Sequence, residues 1–159
     1  MTATTYRILD AVADSFNPLL ALVAVAIPPL HKQRNLRAMI AYYISASAAI
    51  GFVYLVRALD SHYMLWASLG VDYSTHSALA ASLVVSLGAV HRRWLAPLAL
   101  ATTVYFALEL VMRYHGPADI ASPALAAAVA ALLLHVTAMR AFAMKMQRSE
   151  SPLNAARRN

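Results

Sequence analysis

The sequence predicts an all-helical, polytopic transmembrane bundle of about five spans, and three observations carry that expectation. Hydrophobic side chains make up 61% of the 159 residues and charged ones only 13%, about half the charged share of an average soluble domain. The mean hydropathy is +0.59. The apolar residues gather into five runs separated by short polar segments, and a helix needs roughly 20 such residues to cross a hydrocarbon core of about 30 Å.

The chain opens Met1-Thr2-Ala3-Thr4-Thr5-Tyr6-Arg7, without the basic cluster, short apolar core and small-residue cleavage site of a secretory leader. The first apolar run is therefore expected to stay as a membrane helix. It extends from about Phe16 to Leu30 and is entered through an interfacial helix carrying Arg7, Asp10 and Asp14. The second run covers Ala38 to Val56, the third Thr75 to Val90, the fourth Leu95 to Met112 and the fifth Ile120 to Phe142. The third is short and begins with polar residues, which predicts that one end lies below the lipid surface in a protein-lined cavity. Ala124 to Ala131 is mostly small side chains, which permit close helix packing and would also allow a homodimer. Residues 1–143 are read as the transmembrane domain and 144–159, with Pro152 among Ser, Arg and Asn, as a basic, disordered tail.

The charges separate by side. Lys32, Arg34, Arg37, Arg92, Arg93, Arg140, Lys145, Arg148, Arg157 and Arg158 fall on one face, with Glu150 as the only acid. Arg7, Arg57 and Arg113 fall on the other with Asp10, Asp14, Asp60, Asp72 and Asp119. The positive-inside rule makes the first face cytoplasmic, with the amino terminus outside and the carboxyl terminus inside. The net charge of +6 is accounted for by orientation and lipid contact, so nucleic acid is not an expected partner. The absence of cysteine excludes disulfides, thiolate ligands and cysteine nucleophiles.

Most of the remaining ionisable residues lie in or beside two outer segments. One contains Arg57, Asp60, His62, Asp72, Ser74, Thr75, His76 and Ser77, and the other Glu109, Arg113, Tyr114, His115 and Asp119. Pro117 suits the first turn of a helix, so His115 and Asp119 straddle a helix start at a spacing that permits a side-chain contact. Such a carboxylate can orient an imidazole and raise the basicity of its second nitrogen. An interfacial His beside an Asp placed at a helix amino terminus is the plainer alternative. Ser74 or Thr75 can cap the third span, whose amino terminus offers N–H groups to an anion. Arg57 and Arg113 either snorkel to the surface or clamp an anion. Glu109 lies four residues before Arg113, the order that favours a helical ion pair.

Ser74-Thr75-His76 at the start of one span, and His115 with Asp119 at the start of the span after next, resemble the type-2 phosphatidic acid phosphatase superfamily over roughly residues 57–142. The family carries a Ser-Gly-His motif and a later His-x-x-x-Asp motif on spans separated by one helix. The resemblance implies a lipid phosphatase at the periplasmic face of a bacterial inner membrane, with His115 as the nucleophile, Asp119 as its orienting carboxylate and His76 as the acid. Arg57, Ser74, Thr75, Ser77 and Arg113 would hold phosphate oxygens, and Asp72, Glu109 and Tyr114 would support them. A phosphorylated membrane lipid is the implied partner, with no metal and no cofactor. Thr75 stands where the family has glycine, Glu109 where it has arginine, and its first motif lysine has no counterpart. The site thus carries less positive charge than a standard member. Two further readings follow from the resemblance: a head-group phosphotransferase of the sphingomyelin-synthase type, and a degenerate member that binds lipid without turnover. The residues themselves leave one more open, since two His and a carboxylate can also hold iron or zinc.

Overall fold

The computed structural model describes residues 2–30 and 36–156, with side chains described for 2–26 and 36–142. It is an all-helical bundle of α1 (Ala3–Leu30), α2 (Leu36–Tyr63), α3 (Thr75–Val90), α4 (Arg92–Val111) and α5 (Pro117–Ala156). A single 3-10 turn, Ala67–Leu69, lies in the α2–α3 connection. Four helices, α1, α2, α4 and α5, are long and apolar enough to cross a membrane. The chain is a multi-pass membrane protein.

The fifth helix, α3, occupies the centre and touches all four others. Its 16 residues rise about 24 Å, short of a full hydrocarbon thickness, and its surroundings are protein rather than lipid. Ala78, Ala80, Ser82, Leu83, Val84, Ser86, Leu87 and Gly88 are all buried. Ser74 caps its amino terminus by accepting a hydrogen bond from the Ser77 N–H at 3.3 Å.

Lipid is as apolar as leucine, so helices associate through close packing of small side chains rather than through the hydrophobic effect. The buried faces follow that rule. On α2, Ala41, Ser45, Ala49 and Val53 recur every four residues, and on α5, Ala124, Ala127 and Ala131 turn inward. Large apolar side chains such as Leu22, Ile44, Leu100, Val104, Leu125 and Leu133 point outward instead. Where α1 meets α3 and α4, Ala13, Leu20 and Ala24 pack against Leu83, Leu87 and Tyr105, and Phe16 stacks on Tyr105 at 4.4 Å.

Two boundaries differ from the sequence expectation. No separate interfacial helix precedes the first span, because α1 is continuous from Ala3. Its acids lie on the face toward the cleft: Asp10 accepts a hydrogen bond from the Tyr114 hydroxyl, and Asp14, still exposed, lines the cleft between helices. Helix α2 runs seven residues beyond Val56, to Tyr63, where Asp60 accepts a hydrogen bond from the Trp66 N–H at 2.8 Å and starts the turn toward α3. Helix α5 continues to Ala156, and the tail side chains lie outside the described residues. Arg37, Arg92, Arg93 and Arg140 mark the end of the bundle opposite His76 and His115.

Candidate active site

His76 lies in the first turn of α3 and His115 in the short connection before α5. Both line one cleft of about 380 Å3, together with Asp10, Ala13, Asp14, Tyr105, Glu109 and Tyr114. A neighbouring hollow of about 300 Å3 shares Ala13, Asp14 and His76 and adds Asn17 and Tyr54. The two form a trough beside α1. Asn17 fixes its floor by donating through Nδ2 to the His76 carbonyl at 3.1 Å.

The geometry around His115 begins at the end of α4. The Arg113 N–H donates to the Leu110 carbonyl at 3.1 Å and the Tyr114 N–H to the Glu109 carbonyl at 3.1 Å. This is the paired closure of a helix that ends in a left-handed residue. That residue is Arg113, at φ 58°, where glycine is the usual occupant. The reversal turns the next two side chains back over the bundle, which puts Tyr114 and His115 on the cleft wall. Tyr114 is held there by its bond to Asp10 on α1, and that bond, the largest cause, together with a second from Tyr6 raises its pKa above the ordinary phenol value.

The expected side-chain contact between His115 and Asp119 is replaced by a different one. Asp119 is the third residue of α5, and its Oδ2 accepts from the Gly116 N–H at 2.7 Å, the reach-back of a third-position acid in a helix cap. Its Oδ1 accepts from the Asp72 N–H at 2.6 Å. With both oxygens on backbone donors, Asp119 clamps the two outer segments together. A Cβ on Gly116 would lie 3.1 Å from Asp119 Oδ2, so a larger residue there would press the carboxylate by a few tenths of an ångström. The carboxylate facing His115 is Asp72, whose Oδ2 is 3.8 Å from Nδ1, while its Oδ1 accepts from the Tyr73 N–H at 2.9 Å. That separation is electrostatic contact rather than a hydrogen bond.

The remaining sequence-selected residues divide between the cleft and the scaffold. Glu109 and Tyr114 line the cleft. Ser74 and Ser77 are fully buried, and their hydroxyls serve the start of α3, with Ser77 Oγ donating to the Ser74 carbonyl at 3.1 Å. Thr75, the first residue of α3, is not on the cleft lining. Arg57 faces Asp60 at 3.8 Å, in the loop packing where Tyr73 donates to the Val53 carbonyl at 3.1 Å. Burial first, and Asp60 second, push the Tyr73 hydroxyl up to about 12, against the opposing pull of Arg57. The Glu109–Arg113 ion pair is not formed, because Arg113 has left the helix and Glu109 Oε1 accepts from the Tyr105 hydroxyl at 2.5 Å.

Asp10, Asp14 and Tyr105 are cleft residues that sequence reasoning did not select. Asp10 and Asp14 are four apart on α1, as are Tyr105 and Glu109 on α4, a spacing that puts each pair on one helix face. That signal was present, but the inward direction of each face depends on the α1–α4 contact. The described lining holds three carboxylates and two imidazoles, with no lysine or arginine. Glu109 is 1% exposed, and its Oε2 is sealed from solvent with no partner among the described residues. Among the described residues, no three His, Asp or Glu side chains are grouped to hold a metal ion. No protein-family model, curated protein or solved structure matches the chain.

Proposed function

We propose that the chain is an integral-membrane lipid phosphatase whose cleft handles phosphoryl groups through His115 and His76. The observation that carries this reading is that the two histidines, 39 positions apart in sequence and on different elements, line one cleft at one end of the bundle. In this reading the chain lies in a bacterial inner membrane with the cleft facing the periplasm, as the basic residues at the opposite end favour.

The chemistry follows from the orientation of His115. The reading takes His115 as the Nδ1–H tautomer, with Nδ1 on the side of Asp72 and the lone pair on Nε2. Nε2 attacks phosphorus in line with the lipid oxygen, the N–P bond forms, and the P–O bond to the lipid breaks. Protonated His76 gives its proton to the departing oxygen. Water then attacks the phosphohistidine, His76 takes the water proton, and phosphate leaves as the N–P bond breaks.

A second reading is favoured by the acid lining. A phosphate monoester dianion would sit against Asp10, Asp14 and Glu109 without a lysine or arginine on the wall. A zwitterionic head group would place its ammonium toward those carboxylates. His115 would then accept the phosphorylated head group and pass it to a second lipid alcohol. Purified protein offered phosphatidic acid in one arm, and phosphatidylethanolamine with diacylglycerol carrying distinct chains in the other, separates the two. Phosphate release supports the phosphatase, and exchange of the head group supports transfer. Both are expected to survive EDTA and to be lost in His115→Ala; equal turnover in wild type and that variant would sink both.

A further inference from the structure

At the end of the bundle opposite the histidines, α3, α4 and α5 enclose a groove of about 630 Å3. Its walls are Val85, Leu95, Val129, Leu132, Val136 and other apolar side chains, and Arg92 and Arg140 line it as well. No acidic residue is on the described lining, and neither arginine has an ion-pair partner among the described residues. The groove exists because His91 alone separates α3 from α4 while the two helices meet closely at one point. A Cβ on Gly88 would lie 2.8 Å from Leu95 Cδ1, so a larger residue there would push the end of the Leu95 side chain aside.

His135 adds an independent mark of an unfilled site. It lines the groove, is 4% exposed, and has its Nδ1 2.7 Å from Ser45 Oγ on α2. The Ser45 hydroxyl is already placed to donate to the Ala41 carbonyl at 2.7 Å or the Tyr42 carbonyl at 2.9 Å. Ser45 pairs with Nδ1 alone, which leaves Nε2 as the ring nitrogen still to be satisfied. That Nε2 has no partner among the described residues. Five residues before Arg140 on the same helix, it lies about 7.5 Å deeper along the axis, near the glycerol depth of a lipid whose phosphate meets the arginine.

We propose that this groove binds an anionic phospholipid of the leaflet at that end. One acyl chain lies along Val85, Val129 and Leu132, the phosphate sits between Arg92 and Arg140, and a water at the depth of the ester groups bonds His135 Nε2. Basic pockets between membrane helices bind anionic head groups through this combination of charge and apolar wall. A zwitterionic lipid would bring its ammonium against two guanidinium groups, which gives the groove its discrimination. The proposal does not depend on the chemistry at the histidine cleft.

The test is native mass spectrometry of the full chain in detergent, titrated with phosphatidylglycerol or phosphatidylcholine of the same chains. Phosphatidylglycerol is expected to be retained in preference, with Arg92→Gln and Arg140→Gln each weakening it about fivefold and the double variant about 25-fold. Arg93→Gln removes the same charge from a residue that is not on the groove lining and is expected to leave binding within twofold. Ala128→Phe fills the groove while keeping both arginines and is expected to abolish retention. Equal retention of the two lipids, an equal loss in Arg93→Gln, or full retention by folded Ala128→Phe overturns the proposal. If Ala128→Phe does not fold, the arginine series decides it.

Discussion

Among the described residues, the cleft beside α1 is lined by His76, His115, Asp10, Asp14 and Glu109 with no lysine or arginine, whereas the groove between α3, α4 and α5 is lined by Arg92 and Arg140 with no acidic residue. The cleft is built by polar contacts between elements: Tyr114 to Asp10, Asp72 N–H to Asp119, Asn17 to the His76 carbonyl. The groove is built by the shape of apolar helices around Gly88. Under the proposed function a phosphoryl group in the cleft would rely on histidines and on any cationic part of its own molecule, while a phosphate in the groove would meet two guanidinium groups directly. The contrast teaches that the two ends of the bundle, one rich in carboxylates and imidazoles and the other in guanidinium groups, suit different ligands. The arginines suit retention of a lipid, and the imidazoles suit reaction with one.

Breaking the cleft should separate the two ends most sharply. His115→Ala is expected to lower turnover by at least about a thousandfold, as loss of a covalent nucleophile does, while the Arg92→Gln/Arg140→Gln double variant stays within twofold of wild type. Steady-state rates on the lipid panel check both, and comparable losses in the two variants would erase the distinction.

The next largest effect is expected from the clamp. Asp119→Ala removes two hydrogen bonds to backbone N–H groups and should destabilise the cleft end by about 2 kcal/mol. Asp119→Asn keeps one acceptor oxygen and should recover part of that loss. Thermal unfolding in detergent measures both, and an unchanged midpoint in Asp119→Ala would remove Asp119 from the scaffold. Gly116→Ala should fall between the two.

Smaller changes sharpen the electrostatic side. Glu109→Gln keeps an acceptor for the Tyr105 hydroxyl and removes one carboxylate from the cleft. The ratio of turnover on phosphatidylethanolamine to that on phosphatidic acid should fall about tenfold, the size of one charge pair partly shielded from water. An unchanged ratio would detach the acid lining from substrate choice. Arg113→Gly relieves a left-handed residue that closes α4 and should stabilise the protein by about 1 kcal/mol in the same unfolding measurement. Destabilisation would give the Arg113 side chain a role that its φ does not explain.

Much of the bundle was legible because apolar length and charge clusters report directly on membrane helices. Helix α3 begins at Thr75 and ends at Val90, as the polar start and the basic residues after it indicate. The continuous course of α1 from Ala3 was hidden, because Asp10 and Asp14 look like residues that need water until Tyr114 and the cleft are set against them. His76 and His115 were selected from motif order and charge sidedness. The exchange of Asp119 for Asp72 beside His115 was not readable. It depends on Gly116 N–H and Asp72 N–H converging on one carboxylate, a backbone property that no side-chain pattern records. The closure of α4 at Arg113 was unreadable for a related reason, since arginine carries no signature of left-handed backbone.

The central claim is that His115 takes a phosphoryl group within this cleft, and a trapped covalent intermediate tests it most directly. Rapid quenching of the protein with lipid radiolabelled at phosphorus, followed by peptide mapping, should place a base-stable, acid-labile label on His115. The label should be absent in His115→Ala and should accumulate when its removal by water or acceptor alcohol is slowed. Turnover without any protein-bound label, or a label that persists in His115→Ala, would contradict the account.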